Sequence, residues 1–238
     1  MTLAITVNDA DYSSNSIGWE APTSVQPDCA LFARASGLAN LAQDGLQPTP
    51  ILGVAPATAG VLGKSLPFVT LGTNADYETY YRLPQQMTAV SLMRVSNGIA
   101  NMIQTGGGDG AAVLLVQRNA TDNNYLACSN NDTLTANVDE TIFDTWQIRT
   151  WQINMSKQAN FNYRNYTTGL TSSASAAFSE DYTSTSTLRL GYAPPSSNVI
   201  APHDVAAHMF WSSILGADDL NTIVSWLRTF AQRYGTTA

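Results

Sequence analysis

A change of period near the C-terminus constrains this chain more than any other feature. From Val205 to Ser212 the sequence alternates, with Val205, Ala207, Met209 and Trp211 on one side and Ala206, His208, Phe210 and Ser212 on the other. That two-residue repeat is the mark of a strand. Leu220, Ile223, Val224, Leu227 and Ala231 then recur at helical spacing, an apolar stripe on an otherwise polar helix. Gly216 is placed to cap it, Asp218 and Asp219 suit the positive end of its dipole, Arg228 and Arg233 the negative end, and Gly235 a left-handed stop. The pattern predicts one strand running into one helix over about residues 217–234. Helical periodicity occurs nowhere else, so this helix must close a β-rich body.

The upstream sequence has the cadence of strands. FVTLG, YETYYRLP, MTAVSLMRV, IANMIQ, AAVLLVQR, YLACS, WQIRTWQIN, ANFNYRNY, GLTSSASAAF and STLRLGYA follow one another with turn residues between them. With the closing strand they make about ten to twelve short strands and no βαβ alternation. The fold predicted is all-β, a two-sheet antiparallel sandwich with one C-terminal α-helix. Residues 28–67 are rich in Ala, Gly, Leu and Pro, and only a short strand near Ala30–Ala33 is expected there. Residues 1–27 read as an N-terminal arm, whose alternating Leu3, Ile5 and Val7 suit a strand that adds to this sheet or to a neighbour's. Residues 28–238 form the single sandwich domain.

Charge narrows the functional classes. Only 12% of residues are charged, the net charge is −7, and Lys64 and Lys157 are the only lysines. A nucleic-acid groove needs a concentrated basic patch, and none is present. No apolar run is long enough to span a membrane. The opening MTLAITVNDADYSSN lacks the basic and apolar regions of a secretory signal. Cys29 and Cys128 read as small buried hydrophobes rather than a disulfide. The Asn-X-Ser/Thr triplets at Asn119, Asn131, Asn154 and Asn165 read as chance in a chain so rich in Asn and Thr.

The order of the later motifs resembles a known family. A Trp-led strand opening at Trp146, a hairpin into ANFNYRNYTTG, the strand with Leu188, Leu190 and Gly191, and a closing strand passing into SSILGADDL are similar to the concanavalin A-like, laminin G-like jelly roll. Gly216 stands where that family usually has a serine cap, and Asp219 where it usually has a glutamate. The resemblance covers about residues 65–235 and implies a jelly-roll sandwich. The longer closing helix, with its ending WLRTFAQRYG, most resembles members from tailed-bacteriophage particles. What this implies is a non-enzymatic structural or decoration subunit of a virion, on head or tail. It would be present in many copies or as a homo-oligomer, bound to other virion subunits, and made in the host cytoplasm. The alternatives are a glycan-binding adhesion module and, last, a glycan-cleaving enzyme.

No catalytic set emerges from the residues. Glycoside hydrolysis needs two facing carboxylates, and Asp139, Glu140 and Asp144 lie in what reads as a solvated turn. The glycines of GGGDG lie between strands and read as a loop rather than a phosphate cradle. His203 reads as a loop residue and His208 as a strand residue emerging in a different direction, which argues against a shared metal. Asp109, Asp122 and Asp132 are loop acids of the kind that bind Ca²⁺, and read here as solvated. No cofactor or metal is expected. The residues singled out for glycan or partner contact are Tyr77, Tyr80, Tyr81, Trp151 and Tyr166, with YETYY as the expected exposed cluster. Tyr163 and Tyr182 are weaker candidates on the same ground, while Trp146, Trp211 and Phe210 are assigned to the core or a packed face.

Overall fold

The computed structural model describes residues 19–53, 55–72, 75–98, 100–105, 112–118, 123–130, 132–181, 186–191 and 201–238. The Leu3–Val7 strand, the GGGDG turn, Asp109, Asp122 and Tyr182 lie outside them, as does the side chain of Cys128. Among the described residues the elements are β1 (Cys29–Arg34), β2 (Gly37–Asn40), β3 (Thr49–Pro50), β4 (Ala57–Thr58), β5 (Phe68–Leu71), β6 (Tyr77–Arg82), β7 (Gln86–Val95) and β8 (Ala100–Thr105). They continue with β9 (Ala112–Arg118), β10 (Asn123–Asn130), β11 (Asp132–Asp139), β12 (Gln147–Asn154), β13 (Gln158–Asn165), β14 (Thr171–Ala177), β15 (Thr187–Leu190), β16 (His203–Trp211) and α1 (Ala217–Arg233).

All strand pairings are antiparallel. One sheet runs β14-β13-β12-β7-β16-β1-β2, with β5 also on β16 and β4 on β5. The second runs β11-β10-β9-β8-β15-β6-β3. The neighbours β7–β16, β16–β1 and β8–β15 are distant in sequence, so the layers are tied by long connections as in a Greek-key sandwich.

The centre of the first sheet is covered on both faces, and β7 and β16 are accordingly buried along almost their whole length. Cys29, Leu31, Met87, Ala89, Met93, Trp151, Phe161 and Phe210 face the second sheet and its Tyr77, Ile103, Leu134, Val138, Leu188 and Leu190. Ala30, Phe32, Val90, Leu92, Ile148, Met209 and Trp211 face the other way, onto Leu220, Ile223, Val224, Leu227 and Ala231 of α1. The helical stripe therefore covers the sandwich from outside.

Local chemistry sets the ends of α1. Gly216 makes no side-chain cap, and Asp219 turns away to accept hydrogen bonds from Ser24 N (2.7 Å) and Oγ (2.6 Å). That contact ties residues 19–27 to the helix. At the other end Gly235 N donates to Gln232 O and Thr236 N to Ala231 O, with Gly235 at φ +72°. This is the Schellman closure that the glycine was expected to provide.

Three expectations need correction. Asp132 is expected in a loop and Asp139 in a turn, but Asp132–Asp139 is β11 at the rim of the second sheet. Its buried Leu134 and Val138 are enough to hold one face. Residues 28–67 hold four short strands rather than one. The alternation in β16 is also broken, because its register against β7 shifts between Val205 and Ala207. Ala206 and Ala207 both turn toward α1, so His203, Val205, His208 and Phe210 all point between the sheets. The two histidines thus share a face instead of diverging.

Candidate functional site

The helix does not cover the whole outer face of the first sheet. Beyond its N-terminal turns, β12, β13 and β14 present their outward residues in register. Gln152 stands opposite Asn162 and Asn162 opposite Ser173; Thr150 stands opposite Arg164 and Arg164 opposite Thr171. These two rungs form the floor of a groove of about 510 Å³, walled by Ala217, Leu220 and Asn221 of α1 and by Tyr166. Outward positions on a half-covered sheet are free to be polar, and here they are hydroxyls and amides.

Hydrogen bonds fix part of this surface. Gln152 Nε2 donates to Leu215 O (2.7 Å), holding the strand to the segment that enters α1, and Thr150 Oγ1 donates to Arg164 O (3.3 Å). The Arg164 guanidinium lies 4.5 Å from the Tyr166 ring centroid, a cation–π arrangement. Arg228, reaching from α1, donates to Tyr166 O (2.7 Å). An aromatic ring, two arginines and a row of small polar groups therefore meet on one surface of a chain whose net charge is −7.

Of the residues singled out from sequence, Tyr166 lies in this groove. Tyr80 is also at the surface, 44% exposed, but it stands on β6 of the opposite sheet. It takes φ +59°, and its hydroxyl donates to Thr49 Oγ1 (3.1 Å). The other three are corrected. Tyr77 (2% exposed) and Trp151 (1%) point between the sheets, because alternation on β6 and β12 turns them inward with Thr79 and Ile153. Tyr81 is half-buried and stacks on Phe210 with ring centroids 5.3 Å apart. YETYY is thus one exposed tyrosine between inward neighbours. Tyr163 is buried as well, its hydroxyl donating to Glu140. Arg164, Asn162 and Ser173 escaped the sequence reading, although the alternation of Asn162 and Arg164 with Phe161 and Tyr163 in ANFNYRNY marks those two as outward.

Glu140 is a further correction. It is no solvated turn residue but lies in the inter-sheet core, with its Oε2 2.7 Å from Arg149 Nη2 and both side chains at most 2% exposed. That contact lacks hydrogen-bond alignment, so it is an ion pair. Arg149 also donates to Gln147 Oε1 (2.7 Å), and Asn165 Nδ2 donates to Gln147 Oε1 (2.8 Å) and Glu140 Oε1 (3.2 Å). Burial pushes the Tyr163 phenol up, outweighing the Arg149 charge that pulls it down, and the Glu140 charge adds to the rise. The carboxylate is consumed in holding an arginine. Asp144 is exposed, where it accepts a hydrogen bond from Ser96 Oγ (2.8 Å). Cys29 is free and buried, and its thiol is pushed up to about 12 by desolvation and then by Asp28, which leaves it unreactive. Among the described residues no group of three or more His, Cys, Asp or Glu is placed to hold a metal ion. Among them, too, no helix is long and apolar enough to cross a membrane.

No protein-family model matches the chain, and no curated protein sequence does. Solved structures do. The receptor-binding domain of botulinum neurotoxin D superposes with a TM-score of 0.61 at 10% identity, over 88% of this chain and 55% of that one. The type G receptor-binding domain gives 0.62 at 10% identity, over 89% and 54%. The serotype D ligand-binding domain, solved in complex with N-acetylneuraminic acid, gives 0.61 at 11% identity, again over 89% and 54%. The chain spans about half the length of these domains. At such identity the likeness speaks for the fold: this chain is a two-sheet antiparallel β-sandwich with one C-terminal helix, similar in architecture to part of those binding domains.

Proposed function

We propose that the chain is a non-catalytic binding module that takes a glycan in the groove between β12–β14 and the start of α1. The observation that carries this is the composition of the groove. Hydroxyls and amides in two registered rungs suit sugar hydroxyls, and the ring of Tyr166 offers an apolar face beside them. No Asp or Glu is among the described residues that line the groove, so it is built to hold rather than to cleave. The fold supports the reading in a general way, since one similar domain was solved with a sugar acid. The test is a glycan array followed by calorimetry on the purified chain, with Tyr166→Ala and Asn162→Ala in parallel. Each substitution is expected to weaken binding about tenfold, the equivalent of about 1.4 kcal/mol, and Asn162→Ala, at an exposed position, to do so without lowering the unfolding midpoint. An unsubstituted chain that binds no glycan removes this function.

A second reading, a subunit of a tailed-phage particle held by protein contacts, has its own observation. Leu46 (66%), Ile51 (40%), Leu52 (43%), Val61 (48%) and Leu62 (71%) are all exposed on the single segment that carries β3 and β4. Large apolar side chains concentrated on one connector suit a surface that is covered in an assembly.

A further inference from the structure

The two histidines are the only ones in the chain, and the bulge in β16 turns both into the inter-sheet core. Among the described residues neither ring nitrogen of His203 has a hydrogen-bond partner. His208 Nδ1 lies 2.5 Å from Ser91 Oγ on β7, and its Nε2 has no partner. Apolar and aromatic groups surround them. His203 sits between Leu71 of β5 and Val95 of β7, and His208 packs on Phe210 (4.6 Å between centroids) and Trp151 (6.3 Å). A neutral ring is tolerated in such a place, but a charged one has nothing to pair with.

We infer that the inter-sheet core is an acid-sensitive closure, with His203 and His208 holding the sandwich shut only while both rings are neutral. The inference does not depend on the glycan reading, since both rings lie on the face of the first sheet opposite the groove. The charged and titratable groups around the pair reinforce it. From β12 comes Arg149, whose positive charge opposes a second one at His203, and its partner Glu140 is already engaged by Arg149, Tyr163 and Asn165. β1 contributes Cys29 and β6 contributes Tyr81, both protonated throughout the acid range. Asp204 lies on the outer face, bound to Arg94 and Thr70.

Burial sets the sign of the pH dependence. In the folded chain desolvation, then Arg149, lowers His203 to about 4, and desolvation, then His203, lowers His208 to about 3. In the unfolded chain both return to about 6.5. The unfolded state therefore holds more protons between about pH 6.5 and 4, so stability is lost as pH falls through that window. Most carboxylates titrate at the lower edge of that window, at about 4. Asp76, raised by burial, works in the opposite sense, because its folded state binds the proton more readily.

The experiment is urea unfolding of the full chain from pH 8 to pH 4.5, with His203→Leu alongside. The unsubstituted chain is expected to hold a constant midpoint above pH 7. Below pH 6 its unfolding constant should rise by up to about a hundredfold per pH unit, the linkage of two protons, and in the variant by about tenfold. Proton NMR of the native chain provides the second measurement, because its two imidazole signals should not titrate between pH 8 and 5. An equal midpoint at pH 7.5 and pH 5, or native imidazoles titrating near 6.5, overturns the inference. So does a folded His203→Leu chain that keeps the full pH dependence.

Discussion

Arg149 and Glu140 meet where water does not reach either of them. Their attraction only offsets the loss of hydration, so the intact pair adds little, while an unpaired survivor would be a buried, uncompensated charge. Glu140→Ala leaves the guanidinium with Gln147 as its remaining polar partner, and about 3–5 kcal/mol of stability should be lost. Joint replacement by Arg149→Met and Glu140→Leu should recover most of that loss, as urea denaturation of the three chains would read. An equal loss in single and double variants would show that packing rather than charge governs the site. Neither residue announced this in the sequence. Glu140 comes after a polar run and Arg149 interrupts an apolar strand, and only the stacking of the sheets brings them together. The same limit applies to the tyrosines. Alternation in Tyr77–Arg82 shows that neighbours face opposite ways, but the partner layer decides which way is inward, and it buried Tyr77 while leaving Tyr80 outside.

Among elements, α1 was the most legible because everything that defines it is local: a stripe at 3.6-residue spacing, acids in the first turn and a glycine just past the end. Two features make that glycine more than a stop signal. Gly235 sits at φ +72°, and a Cβ there would lie 2.6 Å from Gly63 O. Gly235→Ala should therefore lower stability by more than the roughly 1 kcal/mol typical of a left-handed cap position, whereas Gly216→Ser should be neutral or stabilising. Thermal unfolding followed at 222 nm would check both, and an unchanged midpoint for Gly235→Ala would mean that the C-terminal turn is not packed on residues 60–65. Strand β16 was legible in type but not in facing. A bulge arises from pairing with β7, and alternation within a single strand carries no trace of it. Strand β11 was missed because Thr, Asn and Asp dominate it and only Leu134 and Val138 reach the core.

For the whole molecule, the two-layer architecture could be read from strand spacing, but the order of strands could not. Pairings such as β7 with β16 join residues more than a hundred apart, and no local pattern encodes them. The groove beside α1 inherits that difficulty, since its floor needs three strands in register and its wall comes from the helix. The assembly reading is tested at this scale. If the chain is a subunit held through residues 46–62, Leu46→Asp with Leu62→Asp should abolish association seen by light scattering and leave the monomer's stability within about 1 kcal/mol of the original. A chain that stays monomeric alone, and in the presence of the particle's other subunits, would remove that reading.

The rim of the first sheet at β2 is closed in an unusual way. The Gln47 amide accepts from Asn40 N (3.0 Å) and donates to Asn40 O (2.8 Å), so one side chain occupies both backbone groups that an incoming strand would need. Asn40 in turn holds Ala30 N, Ala42 N and Leu46 O. A foreign polypeptide meets a finished border there, and runaway fibre growth by edge-to-edge zipping has no foothold at that flank. Neighbours crowded against this flank therefore meet no open strand to extend.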